Sequence, residues 1–276
     1  MNELPFFFDN NRAQKLFGVL HSPEHKVSDT INTMGWVLCH SFAEEKLWAH
    51  RVYVSLARCL ASQGHTVLRF DYSGYGDSDG EFENSTVDDQ LNDIYAAIDT
   101  LKDKVQNTDN IGLIGLRYGA LLAAMIAESH KEISHLVLWD PVIDMGRYLQ
   151  DALRANLTTQ MVMHGKVITN RDELTAQIEE GQAVNIDGYD MSKMFFDSAN
   201  KLNLKDITGS FTGACQLVQI GRPNQPLRKD IESLAENYKN CETIQLSEQQ
   251  FWKEIKNFVQ KSDPLQDALT NWLREH

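Results

Sequence analysis

The segment NIGLIGLRYGALLAA (residues 110–124) predicts a buried strand, a sharp turn and a buried helix in succession. Its apolar run ends at Leu116, and Gly115 and Gly119 flank the turn, where the lack of a side chain lets the backbone bend sharply and pack closely. The residues after Arg117 are almost all apolar, which is typical of a helix that is covered on every side. The segment therefore predicts one strand of a buried sheet and the helix that packs on it.

Strands and helices alternate on both sides of this segment. The predicted strands are short apolar runs at residues 36–39, 66–70, 111–114, 134–139, 215–220 and 243–246. Residues 87–101 carry apolar side chains at helical spacing after a cap at Ser85 or Thr86. A closing helix is predicted over residues 251–275, with a break near Pro264. This alternation favours an α/β fold with a mostly parallel central sheet and helices on both faces.

The alternation stops after Asp140 and Pro141. Residues 145–205 are helical in pattern, rich in methionine and interrupted by glycines, and they show no clear strand. We therefore predict one core built from residues 1–144 and 206–276, with a helical lid at residues 145–205 inserted between its two parts.

The charge balance excludes several classes of function. The 276 residues include 26 Lys and Arg against 39 Asp and Glu, a formal net charge of −13, and they contain no clustered basic patch. A negative field repels phosphate backbones, so we expect no binding to nucleic acid. No apolar run reaches the roughly 18 residues of a membrane span. The first residues lack the basic flank of a signal peptide, so we expect a cytoplasmic protein.

The cysteines favour neither a metal site nor a disulfide framework. Cys39, Cys59, Cys215 and Cys241 are widely separated, which matches neither a zinc-binding spacing nor a disulfide pattern. We expect reduced thiols, no metal and no cofactor. The sequence does not indicate an oligomeric state.

The turn Gly115-Leu116-Arg117-Tyr118-Gly119 has the spacing of the G-x-S-x-G nucleophile elbow, with arginine in place of serine. Two glycines at this distance can also serve only to pack a helix on a strand. Two other features favour the elbow. His40-Ser41-Phe42 ends an earlier strand, where an oxyanion loop would lie, and a glycine-rich loop at residues 71–80 follows the next strand. With the inserted lid, these features predict an α/β-hydrolase fold.

Several stretches resemble one group within that fold. They are HSFAEE (40–45), LRFDYSGYGDSDGEF (68–82), GLRYGALL (115–122), LWDPV (138–142), GYDMS (188–192) and Phe251-Trp252. Together they are similar to the second type of exosortase A system-associated hydrolase, a group of α/β-hydrolase-fold proteins from bacterial exopolysaccharide gene clusters. The resemblance implies this fold, a hydrolase activity similar to that of serine aminopeptidases, and a part in producing surface polysaccharide.

The residues of a Ser-His-Asp triad are nevertheless missing from the expected positions. Arg117 cannot act as a nucleophile, because its guanidinium stays protonated and offers no lone pair. The base should follow the last strand, but residues 246–252 (LSEQQFW) contain no histidine. The loop after the preceding strand offers Asn224 instead of a carboxylate. The sequence therefore predicts a site that does not perform serine hydrolysis.

Two roles for Arg117 remain open. At a helix N-terminus an isolated cation is disfavoured, so we expect a carboxylate partner, with Glu44 and Glu45 nearest, or a bound carboxylate, sulfate or phosphate of a ligand. Asp140 ends a strand on the same side of the sheet, where ligands of open α/β sheets bind. The candidate binding residues are Arg117, Tyr118, Phe42, Glu44, Glu45 and Asp140.

Three functions are compatible with this pattern. The first is a non-catalytic hydrolase homologue that binds a small anionic or acyl ligand. The second is a hydrolase that cleaves ester, thioester or peptide bonds with non-standard residues, because the elbow glycines and the lid are kept. The third is a structural subunit recognised through its acidic surface. The fold by itself does not choose among them.

Overall fold

The computed structural model describes residues 1–24, 33–105, 110–253 and 258–276. Its strands are, in chain order, β1 (Asn2–Asp9), β2 (Lys15–Ser22), β3 (Gly35–Cys39), β4 (Thr66–Phe70), β5 (Ile111–Leu116), β6 (Ile133–Trp139), β7 (Val184–Ile186), β8 (Tyr189–Met191), β9 (Ala214–Gly221) and β10 (Cys241–Ser247). Eight strands form one sheet in the order β1-β2-β4-β3-β5-β6-β9-β10, and β7 and β8 form a separate hairpin. From β4 to β10 the sheet is parallel, as the sequence predicts.

Helices cover both faces of this sheet. They are α1 (Glu44–Ser62), α2 (Val87–Lys104), α3 (Tyr118–Ser129), α4 (Met145–His164), α5 (Arg171–Glu179), α6 (Lys193–Ala199), α7 (Leu204–Ile207), α8 (Lys229–Ala235) and α9 (Asp263–Glu275). Along β3, Trp36 and Leu38 pack into the apolar cluster that contains α1 and α9, whereas Val37 and Cys39 pack into the cluster that contains α2 and α3. The prediction of an α/β fold covered on both faces is confirmed.

The N-terminal strands β1 and β2 are not predicted from the sequence. They form an antiparallel hairpin at one edge of the sheet, and β2 pairs antiparallel with β4. Only Phe8 is buried in β1, because this strand lies at the edge. An edge strand buries too little to impose the alternation of apolar and polar residues that identifies a strand in a sequence.

The insertion at residues 145–205 contains α4, α5, α6 and the β7–β8 hairpin. The expectation that this segment has no strand is therefore wrong. Asp187 and Gly188 connect the two strands with positive φ angles of 49° and 90°, the conformation of a type I′ turn. An Asp-Gly pair between apolar residues is a hairpin signal, but strands of three residues are too short to show a period.

Helix boundaries follow capping residues. Thr86 caps α2, since its hydroxyl accepts a hydrogen bond from the Asp89 N–H while the Asp89 carboxylate accepts one from the Thr86 N–H. The predicted closing helix is shorter than expected, because α9 begins at Asp263 after its cap Ser262. Residues 254–257 of that prediction lie outside the described residues. None of the helices in the described ranges combines the length and apolar composition of a membrane span.

Candidate functional site

The sharp turn between β5 and α3 places Arg117 at the carboxyl edge of the sheet. Arg117 has φ 57° and ψ −116°, a conformation that residues with side chains rarely adopt. Its N–H donates to the Trp139 carbonyl at 2.9 Å, which fixes the turn to the end of β6. A side chain at Gly119 would overlap the Cys39 carbonyl, and one at Gly115 would overlap the backbone of Ala120. Both glycines are therefore required by close packing, as in a nucleophile elbow.

The Arg117 side chain lies among acidic and aromatic groups. Its Nη1 donates to the Asp140 carbonyl at 3.1 Å and to Asp140 Oδ2 at 3.3 Å. Its Nε lies 3.6 Å from Glu45 Oε1, an ion pair beyond hydrogen-bond distance. The guanidinium carbon lies 5.6 Å from the ring centre of Tyr148 and 5.5 Å from that of Trp252. Two carboxylates and two aromatic faces therefore stabilise the cation.

These contacts extend into a row of alternating charges, Glu45–Arg117–Asp140–Arg228–Asp230, which we call the ion-pair row. Arg228 Nη1 donates to Asp140 Oδ1 at 3.2 Å, and its Nε donates to Asp230 Oδ1 at 3.1 Å. Asp140 is 2% exposed and has a positive φ of 41°, so its carboxylate is held between the two arginines. The row connects the start of α1, the elbow, the end of β6 and the start of α8.

Burial and charge act in opposite directions on these groups. Burial disfavours the charged guanidinium, but the carboxylates of Glu45 and Asp140 outweigh it and raise the pKa of Arg117. Burial raises the pKa of Glu45, although Arg117 and the neighbouring Tyr148 hydroxyl oppose this shift. Burial also raises the pKa of Asp140, against the opposing charges of Arg117 and Arg228. The carboxylates therefore depend on the arginines to remain ionised.

A cleft of about 390 Å³ opens above the ion-pair row. Arg117, Tyr148 and Arg228 line it, together with the acidic residues Asp144, Asp151 and Asp230. Arg147 from α4 and Lys205 from α7 also line it, and neither forms an ion pair with any residue in the described part of the chain. Asp151 pairs with Arg154 and Asp230 with Arg228. Asp144 also has no ion-pair partner among the described residues and accepts a hydrogen bond from the Arg147 N–H at 2.9 Å. The charged groups of the wall that stand outside ion pairs are therefore two cations and one carboxylate.

The structure brings together three of the six candidate binding residues, Arg117, Glu45 and Asp140. Of the two glutamates, Glu45 forms the ion pair with Arg117. Glu44, the first residue of α1, contributes its charge instead to the environment of Tyr189.

Tyr118 and Phe42 lie in the core and do not line the cleft, although the Phe42 ring contacts the ring of the cleft residue Tyr148 edge-on at 6.0 Å between centres. The Tyr118 hydroxyl donates to Gln90 Oε1 at 2.7 Å, and the residue is fully buried. Phe42 stacks on Phe195 of α6 with ring centres 5.3 Å apart, so it attaches the insertion to the sheet. Both side chains belong to the apolar cluster on this face of the sheet, which suits a packing role.

Several residues of the cleft are not predicted from the sequence. Arg147, Tyr148, Lys205 and Arg228 line the cleft from three separate segments. From a fourth segment, Trp252 contacts Arg117 without lining the cleft. Trp252 belongs to the segment after β10, where the histidine of a triad would be expected. Its indole ring stacks on Arg117 in that region. The composition of this segment carried no signal for a cation–π contact.

His40, at the end of β3, is held by the backbone. Its Nδ1 lies 2.8 Å from the Ser41 carbonyl, and its Nε2 accepts a hydrogen bond from the Tyr72 N–H at 3.3 Å. Burial lowers the pKa of His40 to about 3, so the ring is neutral. Both ring nitrogens are engaged, which suits a structural histidine better than a base. Within the described ranges, no three His, Cys, Asp or Glu side chains come together as a metal site.

The fold and the elbow define the class of α/β hydrolases. The family model for serine aminopeptidase S33 matches residues 36–190, more than half of the chain, and the chain belongs to that family. Similar solved structures include a ferulic acid complex of Est1E from Butyrivibrio proteoclasticus, with a TM-score of 0.66, 18% identity, and coverage of 98% of this chain and 96% of the other. Proline iminopeptidase from Mycobacterium smegmatis gives a TM-score of 0.65 at 13% identity, covering 100% of this chain and 98% of the other. At these identities the likeness concerns the fold alone.

Two curated relatives match shorter segments of this chain. An uncharacterised protein of Rickettsia prowazekii is 28% identical over 95 residues, 34% of this chain and 39% of that protein. The human mitochondrial palmitoyl-protein thioesterase ABHD10 is 40% identical over 75 residues, 26% of this chain and 23% of that enzyme. The chain thus spans about two fifths and about a quarter of the lengths of these relatives.

Proposed function

We propose that this chain binds a small anionic ligand in the cleft and does not hydrolyse esters or peptides by the triad mechanism of its family. The observation that carries the proposal is the side chain at the elbow. Arg117 occupies the position of the attacking hydroxyl and is engaged by Glu45 and Asp140. A guanidinium has no lone pair for nucleophilic attack, whereas it is well suited to bind carboxylates and phosphates.

Arg147 and Lys205 would make the first contacts with the ligand. Both line the cleft without an acidic partner in the described residues, so their charges are available to an incoming anion. Arg117 and Arg228 already share their charges with carboxylates and would contribute less. A volume of about 390 Å³ lies in the range of clefts that hold small molecules. The acidic surface elsewhere would repel anions, so the cations Arg147 and Lys205 would direct an anion to this cleft.

We further propose that residues 145–205 act as the lid of this site. Helix α4 begins in the insertion and contributes Arg147 and Tyr148 to the cleft. Its N-terminal part packs on the core through Met145, Leu149 and Leu153, which are all fully buried. A firmly packed helix that carries ligand contacts would let the insertion set the ligand specificity. A cytoplasmic location and a part in exopolysaccharide production, both expected from the sequence, belong to this proposal.

One observation supports an active hydrolase as the second candidate. The elbow keeps its strained φ of 57° and both tightly packed glycines, a geometry that otherwise serves to expose a nucleophile. A thioesterase activity such as that named for the mitochondrial relative would then require a nucleophile other than Arg117. Asp140, beside the elbow, is the acidic side chain nearest to that position.

Calorimetric titration tests the binding proposal. Phosphate, sulfate, citrate and hexanoate are titrated into the wild type and into Arg147→Met and Lys205→Met. We expect at least one anion to bind, with about tenfold weaker affinity in each variant, since loss of one charge-assisted contact costs about 1.4 kcal/mol. Lys201→Met, on an exposed lysine outside the cleft lining, is the matched control. Equal affinity in all four proteins, or no binding of any anion, would contradict the proposal.

A second assay separates the two candidates. The wild type and Arg117→Ala are incubated with p-nitrophenyl acyl esters and with a fluorophosphonate probe. The proposal expects neither turnover nor labelling in either protein. Turnover that persists in Arg117→Ala would establish a hydrolase with another nucleophile, whatever the calorimetric result.

A further inference from the structure

Two cysteines face each other on the last pair of strands, far along the sheet from the β1 edge. Cys215 of β9 and Cys241 of β10 are register partners in a parallel ladder, so their side chains project from the same face of the sheet. Both pack against the apolar cluster on that face. Neighbouring strands lie about 4.8 Å apart, within the range of Cα separations that a disulfide spans.

The two thiols differ in exposure. Cys215 is 1% exposed, while Cys241 is partly exposed because β10 is the last strand of the sheet. A reagent in solution can therefore reach Cys241 but not Cys215. The neighbouring Cys215 thiol lowers the pKa of Cys241, whereas burial raises the pKa of Cys215. A thiol with a lowered pKa is more often the reactive thiolate.

We propose that Cys241 and Cys215 form an oxidation site for hydrogen peroxide, with Cys241 as the reacting thiol and Cys215 as the resolving thiol. The Cys241 thiolate attacks one oxygen of the peroxide and breaks the O–O bond. Cys241 becomes a sulfenic acid, and the hydroxide that leaves takes up a proton to form water. The Cys215 thiol then attacks the Cys241 sulfur and expels a second water. The two thiols lose two electrons and two protons, and one peroxide is reduced to two waters.

The other two cysteines provide internal controls. Cys39 is buried, and burial raises its pKa to about 12. Cys59 is partly exposed like Cys241, but burial raises its pKa instead of a partner thiol lowering it. Cys59 therefore matches Cys241 in exposure and differs in lacking a neighbouring thiol among its described contacts.

Peroxide treatment followed by mass spectrometry tests the proposal. The native protein is treated with hydrogen peroxide, unfolded, alkylated and digested. We expect a linked pair of Cys215 and Cys241 peptides, reversed by dithiothreitol, while Cys39 and Cys59 remain open to alkylation. Cys59→Ser should behave like the wild type, and Cys241→Ser should form no linked pair. In Cys215→Ala, dimedone should trap a sulfenic acid at Cys241.

Two results would overturn the proposal. One is oxidation of Cys59 at the same rate as Cys241. The other is the absence of both a linked pair in the wild type and a trapped sulfenic acid in Cys215→Ala. Circular dichroism identifies a variant that does not fold. If Cys215→Ala does not fold, the wild-type and Cys241→Ser digests test the proposal. We expect Cys241→Ser to fold, because it changes one atom at the start of an edge strand.

Discussion

Two buried polar networks in this fold differ in how completely their members are hydrogen bonded. Beneath the N-terminal hairpin, the fully buried Asp93 accepts hydrogen bonds from Asn10 Nδ2 at 2.7 Å and from the N–H and hydroxyl of Ser73 at 2.8 Å each. Beneath the cleft, the contacts of Arg117 to its two carboxylates are 3.3 and 3.6 Å long. There, Arg117 Nε and Glu45 Oε2 are buried without a hydrogen-bond partner among the described residues.

This difference is what we would expect between a structural network and the binding site proposed above. Short hydrogen bonds that use every acceptor hold the hairpin turn, the loop after β4 and helix α2 together. Longer contacts and unsatisfied atoms leave the ion-pair row with capacity for another polar group. An unsatisfied buried polar atom costs stability, and natural proteins concentrate such costs at functional sites.

The largest loss of unfolding free energy is expected from Arg117→Ala, which removes the cation that Glu45 and Asp140 share. Because both carboxylates remain buried, we expect the free energy of unfolding to fall by about 3–5 kcal/mol. Urea denaturation measures the change. Changing Glu45 to Gln in the same chain should recover part of the loss, since one uncompensated charge disappears. A loss below about 1 kcal/mol would show that water already screens the row.

A smaller loss of unfolding free energy is expected from Asp93→Asn, in the fully hydrogen-bonded network beneath the N-terminal hairpin. The new amide keeps one acceptor oxygen but presents a donor to Ser73 and Asn10, so we expect a loss of about 1–3 kcal/mol. Asp99→Asn on the exposed side of the same helix is the matched control and should change little. Anion affinity in the cleft should stay at the wild-type value. A shift in that affinity would mean that the two networks are coupled.

Acid should destabilise the protein through His40, whose Nε2 is bonded to the backbone next to Ser73. Its pKa is about 3 in the folded chain and about 6.5 in the unfolded chain, so its contribution is complete above pH 6.5 and declines as the pH falls. The decline is about 1.4 kcal/mol per pH unit, hence about 2 kcal/mol between pH 6.5 and 5. Burial lowers the pKa of three further histidines to about 4, which steepens the curve: His21, His65 and His135.

The buried carboxyl groups of the two networks have the opposite effect on stability as the pH falls. Burial raises the pKa of Asp93 and of Glu45, so proton uptake by these groups favours the folded chain. Replacing His40 by Gln should therefore flatten the dependence of unfolding free energy on pH, because one titrating group is removed. His164→Gln, on an exposed side chain, is the matched control. Identical slopes in the wild type and His40→Gln would disprove the assignment.

The sequence predicted those parts of the molecule whose residues are adjacent in the chain or follow a period. The elbow is one example, because Gly115, Arg117 and Gly119 lie within five residues and their spacing specifies the turn. The pairing of Arg117 with a glutamate at the start of α1 follows from the order of parallel strands. Arg228 could not be found in this way, since it reaches Asp140 across 88 residues of chain through the position of α8. The role of Trp252 could not be predicted either, because a stacking contact leaves no pattern in the sequence.

The smallest effect, now on ester hydrolysis and not on stability, is expected from Arg117→Ser. This substitution restores the hydroxyl of the elbow while the strained backbone stays in place. A serine hydroxyl needs a histidine to take its proton, and His40, at the same edge of the sheet, has both ring nitrogens engaged by backbone groups. We therefore expect no hydrolysis of p-nitrophenyl esters above that of Arg117→Ala, which loses the same ion pairs and has no hydroxyl. Turnover in the serine variant alone would reveal a base within reach of the elbow. A single substitution would then have given the cleft esterase activity. The ion-pair row would in that case be an active site that the arginine inactivates.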